Sequence, residues 1–292
     1  MTVIIAKVIL RLLSWLPAGG PYWLARRLAG VWMMLSPTKR HTTITNLSRC
    51  FPEMPEEKRA KLARESFVHY VASILEAGHN WYWPVDRLLG QCEALLGKGL
   101  LSQGLTKGRG VLVLAPHFGA WEYLGIYLSR FPEIAILYKP PADPRLDKAL
   151  LERRSRGGAN MLPANAKGIR TLFAHLRNGK GGGILPDQEP SRGQGRFAPF
   201  FGVPALTGVL VPRIARKTGC KVYFSVAERR PGGRYRVHVI PADEAIGGDD
   251  LETALAAVNH DVERCIAIDP AQYLWSYRRF KTQPEGEPPF YN

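Results

Sequence analysis

Apolar positions return at helical spacing in "MPEEKRAKLARESFVHYVASILEAGHNWYWP", where Leu62, Phe67, Tyr70, Val71, Ile74 and Leu75 share one face. The pattern follows the punctuation of Pro52 and Pro55 and predicts a long amphipathic helix ending near Gly78. Before it, "MTVIIAKVILRLLSWLPAGGPYWLARRLAGVWMMLSPTKR" is apolar and rich in tryptophan but is cut by Lys7, Arg11, Arg26 and Arg27, which predicts two short amphipathic helices. Residues 1–100 therefore read as mainly helical. After the glycine-rich "GKGLLSQGLTKGRG" the period changes. "GVLVLAP" at 110–116 predicts a buried strand, "AWEYLGIYLSR" a helix, and "IAILYK" at 134–139 a second strand. Helices are expected near 143–155, over "AKGIRTLFAHLRNG" and over "TGVLVPRIARKTG". Further strands are expected at "GGILPD", "KVYFSVAER" and "YRVHVIP", and a closing helix in "LETALAAVNHDVERCIAIDP". This alternation predicts an α/β fold, a mixed, largely parallel central sheet flanked by helices with a helical N-terminal region. Its ligand site should lie at the carboxyl ends of the strands. The expected organisation is a membrane-associating helical segment at 1–40 and a single α/β domain at 41–292.

Composition adds one departure from the ordinary. Hydrophobic residues at 46% and charged residues at 22% are globular usage, which argues against long-range disorder and against a polytopic membrane protein. Forty Lys plus Arg against 25 Asp plus Glu leave a net charge of +15, which attracts nucleic acid, anionic lipid head groups or an acidic protein. Cys50, Cys92, Cys220 and Cys265 are far apart and form no C-x-x-C pair, so neither a zinc site nor a disulfide framework is expected, and a reducing compartment fits. The longest charge-free N-terminal stretch, 12–25, contains Pro17, Gly19, Gly20 and Pro21 and falls short of the ~18 apolar residues a membrane span needs. Lys7 and Arg11 also break the apolar run of a signal peptide. Two amphipathic helices with Trp15, Trp23 and Trp32 at head-group level would lie on an anionic membrane face, or pack as a hairpin on the domain, or do both.

Candidate chemistry gathers at "APHFGAWEYLG", where the predicted strand 110–116 ends and His117 enters the turn. On one straight helix residues five apart point about 140° away from each other. His117 and Glu122 can meet only if the chain bends between them. A carboxylate on one ring nitrogen fixes the tautomer and leaves the other nitrogen as a general base. Spacing alone also allows a satisfied structural histidine. Placement after a buried strand, beside Gly119, which admits close backbone approach, favours catalysis. No G-x-S-x-G elbow occurs and no cysteine adjoins the histidine, so the activated hydroxyl belongs to the substrate rather than to the protein.

"HFGAWE" resembles the H-x4-(D/E) motif of the glycerolipid and lipid A acyltransferase superfamily. The likeness extends through "NLSRCFPEMPEEKRAKLARESFVHY", "WYWP", "LPDQEPSRGQGRFAPFFGVPALTGVLVPRIARKTGC" and "PAQYLWSYRRFKTQPEG", which in this order are similar to the late acyltransferases of lipid A biosynthesis. The resemblance implies transfer of a fatty acyl group from acyl carrier protein to a hydroxyl of a lipid A precursor. It places this on the cytoplasmic face of a bacterial inner membrane, with acyl carrier protein as co-substrate, no resident cofactor, no metal and no nucleic-acid partner. It further implies His117 as the base, Glu122 as the acid that orients it, and substrate-binding roles for Lys139, Arg154, Arg156, Asp187 and Gln188. Where relatives show Tyr-Arg-Pro this chain has Tyr138-Lys139-Pro140, and lysine keeps the charge but loses the planar bidentate fork.

The basic clusters at 153–156, 192–196 and 213–217, with Arg278, Arg279 and Lys281, are expected on solvated faces, some meeting lipid phosphates and others the carrier protein. Phe197, Phe200 and Phe201 of "RFAPFFGVPA" either line an acyl-chain pocket or pack as a loop on the core. The remaining histidines show no metal-ligand spacing. Other readings stay open at this point: a different lipid acceptor, such as a lysophospholipid, ornithine lipid or glycolipid, a hydrolase using the same dyad, or a non-enzymatic basic membrane-binding protein.

Overall fold

The computed structural model describes residues 2–97, 99–106, 108–131 and 133–291. Met1, the first residue of the expected N-terminal segment, lies outside them. The chain begins with helices α1 (Thr2–Leu13), α2 (Gly20–Leu35), α3 (Pro37–Cys50), α4 (Glu56–Leu75), α5 (Ala77–Tyr82) and α6 (Val85–Leu89). Proline starts α2 and α3 at the first turn, where a missing N–H costs nothing. The long amphipathic helix stops at Leu75, and the chain re-enters a helix at Ala77, which carries Asn80 and Trp81. Ala25 and Ala29 of α2 pack on Phe67, Val71, Ala72 and Leu75 of α4.

The α/β part follows as β1 (Cys92–Leu96), α7 (Leu100–Thr106), β2 (Val111–Leu114), α8 (Trp121–Leu128), β3 (Ile134–Tyr138), α9 (Pro144–Arg154), β4 (Asn160–Pro163), α10 (Ala166–Arg177) and β5 (Gly181–Ile184). Then come β6 (Gly195–Phe200), β7 (Val203–Gly208), α11 (Leu210–Thr218), β8 (Lys221–Arg230), β9 (Arg234–Pro241) and α12 (Leu251–Ile266). Seven strands form one sheet in the order β1-β9-β8-β2-β5-β3-β4, parallel except for the β8–β9 pair. The mixed, largely parallel α/β fold is as expected from the sequence.

Alternation along each strand splits the core between the two sheet faces. Leu112, Leu114, Leu137, Ile184, Phe224 and Val226 face α10, α11 and α12, while Val111, Val113, Ala115, Ile134 and Val237 face α8. Three successive glycines in β5 are poor strand formers by propensity. Gly182 is required by close approach: a Cβ there would stand 2.7 Å from Cδ1 of Leu172 on α10. Side chains cap the helices where the sequence offers them, as Asn165 accepts from the N–H groups of Lys167 and Gly168 at the start of α10.

Three sheet elements differ from the sequence expectation. β1 and β4 extend the sheet at its two edges. "RFAPFFGVPALTG" forms the antiparallel hairpin β6–β7 instead of a loop, with Pro199 opposite Pro204 and positive φ at Phe201 and Gly202 in the two-residue turn. Phe200 and Phe201 pack on the core with Phe51, Tyr273, Trp275 and Phe280, from a hairpin and not from a loop, while Phe197 stays exposed.

Candidate active site

β2 and β5 are neighbours in the sheet, so the turns that leave their carboxyl ends lie side by side. The first carries Pro116-His117-Phe118-Gly119 and the second Pro186-Asp187-Gln188. The His117 turn is fastened on two sides. Its carbonyl accepts from the Leu274 N–H at 3.0 Å, the Gly119 N–H donates to the Gln272 carbonyl at 2.9 Å, and the Ala120 N–H donates to the Ala227 carbonyl at 2.8 Å. Gly119 has φ +55°, and a Cβ there would fall 2.1 Å from the Ala227 carbonyl oxygen, so only glycine fits this bend. Phe118 is wholly buried beneath it.

Asp187, 3% exposed, reaches His117 twice. Its Oδ2 accepts from the His117 backbone N–H at 2.8 Å, and its Oδ1 accepts from Nδ1 at 2.8 Å. Burial pushes the Asp187 carboxyl up, but the electrostatic pull of the neighbouring His117 and these two N–H groups outweigh it and hold the carboxyl below its ordinary range. With Nδ1–H committed to a carboxylate, Nε2 carries the lone pair and accepts from the Gln188 amide at 3.1 Å. The Trp121 ring stands 5.5 Å from the imidazole and shields one side of it.

Glu122 is partnered differently from the sequence expectation. The chain bends at Gly119, but no hydrogen bond joins Glu122 to His117 among the described residues; its carboxylate forms a bidentate pair with Nε and Nη2 of Arg154, which arrives at the end of α9. The carboxylate bonded to His117 is therefore that of Asp187. Burial alone would lower Arg154, and the Glu122 carboxylate more than reverses this, so the guanidinium is held charged. Lys139, which follows β3, and Arg154 both line the same cavity as His117 and Gln188. Arg156 does not. Its guanidinium donates to the carbonyls of Trp83 at 2.9 Å and Asn80 at 2.6 Å and so fixes the chain around α5. Arg279 is also displaced from its expected surface, being 2% exposed and bonded to the Leu206 carbonyl and Thr207.

The cavity measures 810 Å³ and runs along both faces of the sheet from the strand ends. One arm passes between the sheet and α8, past Val113, Gly125, Leu128 and Met161; the other passes towards α10 and α11, past Phe173, Leu210, Arg213 and Lys217. The alternation of strands and helices in the sequence indicated a ligand site at the carboxyl strand ends. Its division between two faces had no sequence signal, because it depends on which helix covers which face.

Fold and site together define an α/β enzyme that sets a carboxylate-held imidazole at the mouth of a cavity suited to aliphatic chains. Residues 2–282 match the family of bacterial lipid A biosynthesis acyltransferases, and the chain belongs to that family. It is 32% identical over 249 residues to the lipid A biosynthesis lauroyltransferase of Escherichia coli K12, covering 84% of this chain and 80% of that one. It is 30% identical over 259 residues to the palmitoleoyltransferase of the same strain, covering 87% and 83%, and 24% identical to its myristoyltransferase over 259 residues, covering 87% and 78%. Acyl transfer to lipid A is thus the activity of the class.

Proposed function

We propose that the protein transfers a fatty acyl chain from an acyl carrier protein thioester to a hydroxyl of a lipid A precursor, by direct attack within a ternary complex. The observation that carries this reading is His117 at the cavity mouth, with Nδ1–H bonded to Asp187 and Nε2 turned to the exposed Gln188 amide. The acceptor hydroxyl takes the place of that amide. Nε2 removes its proton as the oxygen attacks the thioester carbonyl carbon. The C–S bond then breaks, and the leaving thiolate recovers the proton from the imidazolium that Asp187 has stabilised. Charge growing on the carbonyl oxygen meets the positive end of α8 and the cavity-wall guanidinium of Arg154, which Glu122 positions. The relatives named for lauroyl, palmitoleoyl and myristoyl transfer support a fatty acyl donor.

The reaction belongs at the cytoplasmic face of a bacterial inner membrane, with the segment 1–40 on the anionic surface and residues 41–292 as the catalytic domain. Purified protein given acyl carrier protein thioester and a lipid A precursor should yield a lipid heavier by one acyl group in the mass spectrum, and His117→Ala should lower that rate by about 10²–10⁴-fold. Transfer by His117→Ala at the wild-type rate would refute the mechanism. Free fatty acid as the sole product would make the enzyme a hydrolase, and transfer only to a lysophospholipid or ornithine lipid would move the acceptor to another class.

A further inference from the structure

Gly125 lies on the face of α8 that carries Trp121, Glu122 and Leu128, and all four line the arm of the cavity between α8 and the sheet. From Trp121 to Leu128 this face descends ~10 Å from the catalytic turn. A Cβ built at Gly125 meets nothing within 4 Å, so the missing side chain leaves open space inside the arm, not room for a neighbour. A mid-helix glycine is otherwise unfavourable, since alanine is the better helix former. Opposite it the sheet contributes the small residues Ala115 and Gly183. The absence of side chains at Gly125 and Gly183 and the small one at Ala115 leave open space along this arm.

Resting on the acyl-transfer reading above, we propose that this arm holds the donor's acyl chain and that Gly125 sets the length it accepts. The donor chain is carried through water by a soluble carrier and must be sheltered along its whole length during transfer, whereas the acceptor's chains remain anchored in a bilayer. Charge assigns the arms in the same way. Arg154 at the reacting end is held by Glu122 and Arg153 by the Trp81 carbonyl, while the α10–α11 arm presents Arg213 and Lys217, which have no carboxylate partner among the described residues and suit the phosphorylated part of an amphiphile.

The test compares wild type, Gly125→Ala and Gly125→Leu across saturated acyl carrier protein thioesters of graded length, with one acceptor. Binding of S-alkyl pantetheine thioethers of the same lengths is measured in parallel. In Gly125→Leu the preferred chain should shorten, with activity and binding falling about fourfold for each methylene displaced, so roughly sixtyfold for three. Gly125→Ala should shift the preference slightly and melt at or above the wild-type temperature, which controls for folding. A length profile lowered by one constant factor in Gly125→Leu, or a shift that appears with the acceptor's chains instead of the donor's, overturns the proposal. Wild type that binds thioethers but transfers no acyl group overturns the functional reading instead, and the binding series then decides the arm by itself.

Discussion

Asp187 grips His117 at both the backbone and the ring, so it fixes the position of the turn and the tautomer with one side chain. Asp187→Asn keeps the size and one acceptor but loses the charge that stabilises imidazolium. The expected outcome is a fall in kcat of about 10²–10⁴-fold with KM little changed. Glu122→Gln acts elsewhere: it frees Arg154, so substrate affinity should suffer at least as much as turnover. Steady-state kinetics on the two variants decide between them, and a larger kcat loss in Glu122→Gln than in Asp187→Asn would return the orienting role to Glu122. The sequence marked every one of these residues, yet it paired His117 with Glu122. Neighbours in sequence were visible. The true partner is seventy positions away and adjacent only because β5 is inserted next to β2 in the sheet.

At the scale of elements, two histidines join the N-terminal helices to the rest. His79 donates from Nε2 to the Leu16 carbonyl at 3.0 Å and stacks on Trp83 at 3.8 Å, and His69 lies 5.3 Å from the Tyr22 ring of α2. Burial, reinforced by Arg229, pushes His69 down to about 3. Burial, opposed by the Leu16 bond and aided by Arg87, pushes His79 down to about 4. Both are neutral in the fold and take up protons when unfolded below about pH 6.5. Their stabilisation is therefore complete above pH 6.5 and is lost as pH falls towards 4, at up to about 1.4 kcal/mol per unit for each group. Thermal melts over that range should show a falling midpoint, and His79→Gln, which keeps a donor for Leu16, should flatten the slope by about one proton. An unchanged slope in that variant would remove His79 from this linkage. Helices were legible in the sequence where apolar residues recurred at helical spacing, as in α4, α10 and α12; α3, which begins at Pro37, was not singled out, and the caps at Asp143, Asn165 and Asp250 emerge only in the structure. β1 and β4 were not, because "CEALL" and "NMLP" are short edge segments with little burial to pattern them. The β6–β7 hairpin was hidden by Pro199 and Pro204, which are tolerated because the two-stranded sheet has free edges.

For the whole molecule, α1 and α2 turn one side inward and leave another bare. Ile5, Val8, Ile9 and Leu12 form an exposed apolar stripe on α1, Trp15 is 71% exposed and Trp23 61%, and Val31, Met34 and Leu35 continue the surface along α2. Lys7, Arg11, Arg26 and Arg27 stand beside them, and no helix among the described residues is long and apolar enough to cross a membrane. This surface is tied to the site through α5. Gly78 lies against Leu10 and Leu13 of α1, and the Tyr82 hydroxyl donates to the Lys7 carbonyl, while Asn80 and Trp81 of the same short helix line the cavity. On the proposed membrane attachment, a face of this kind settling into an anionic leaflet would hold the cavity next to the bilayer. Each basic residue near such a surface contributes about 1 kcal/mol, and insertion of the stripe adds area-dependent burial. The protein should float with vesicles containing anionic phospholipid, bind purely zwitterionic vesicles more weakly, and detach partly in high salt. Trp15→Ser with Trp23→Ser should weaken flotation by at least about tenfold while leaving the melting temperature and turnover of detergent-dispersed acceptor near wild type. Undiminished flotation in that variant would mean that the membrane is met by another surface. Loss of turnover on dispersed acceptor would mean that the two tryptophans act on the cavity itself and not through the bilayer.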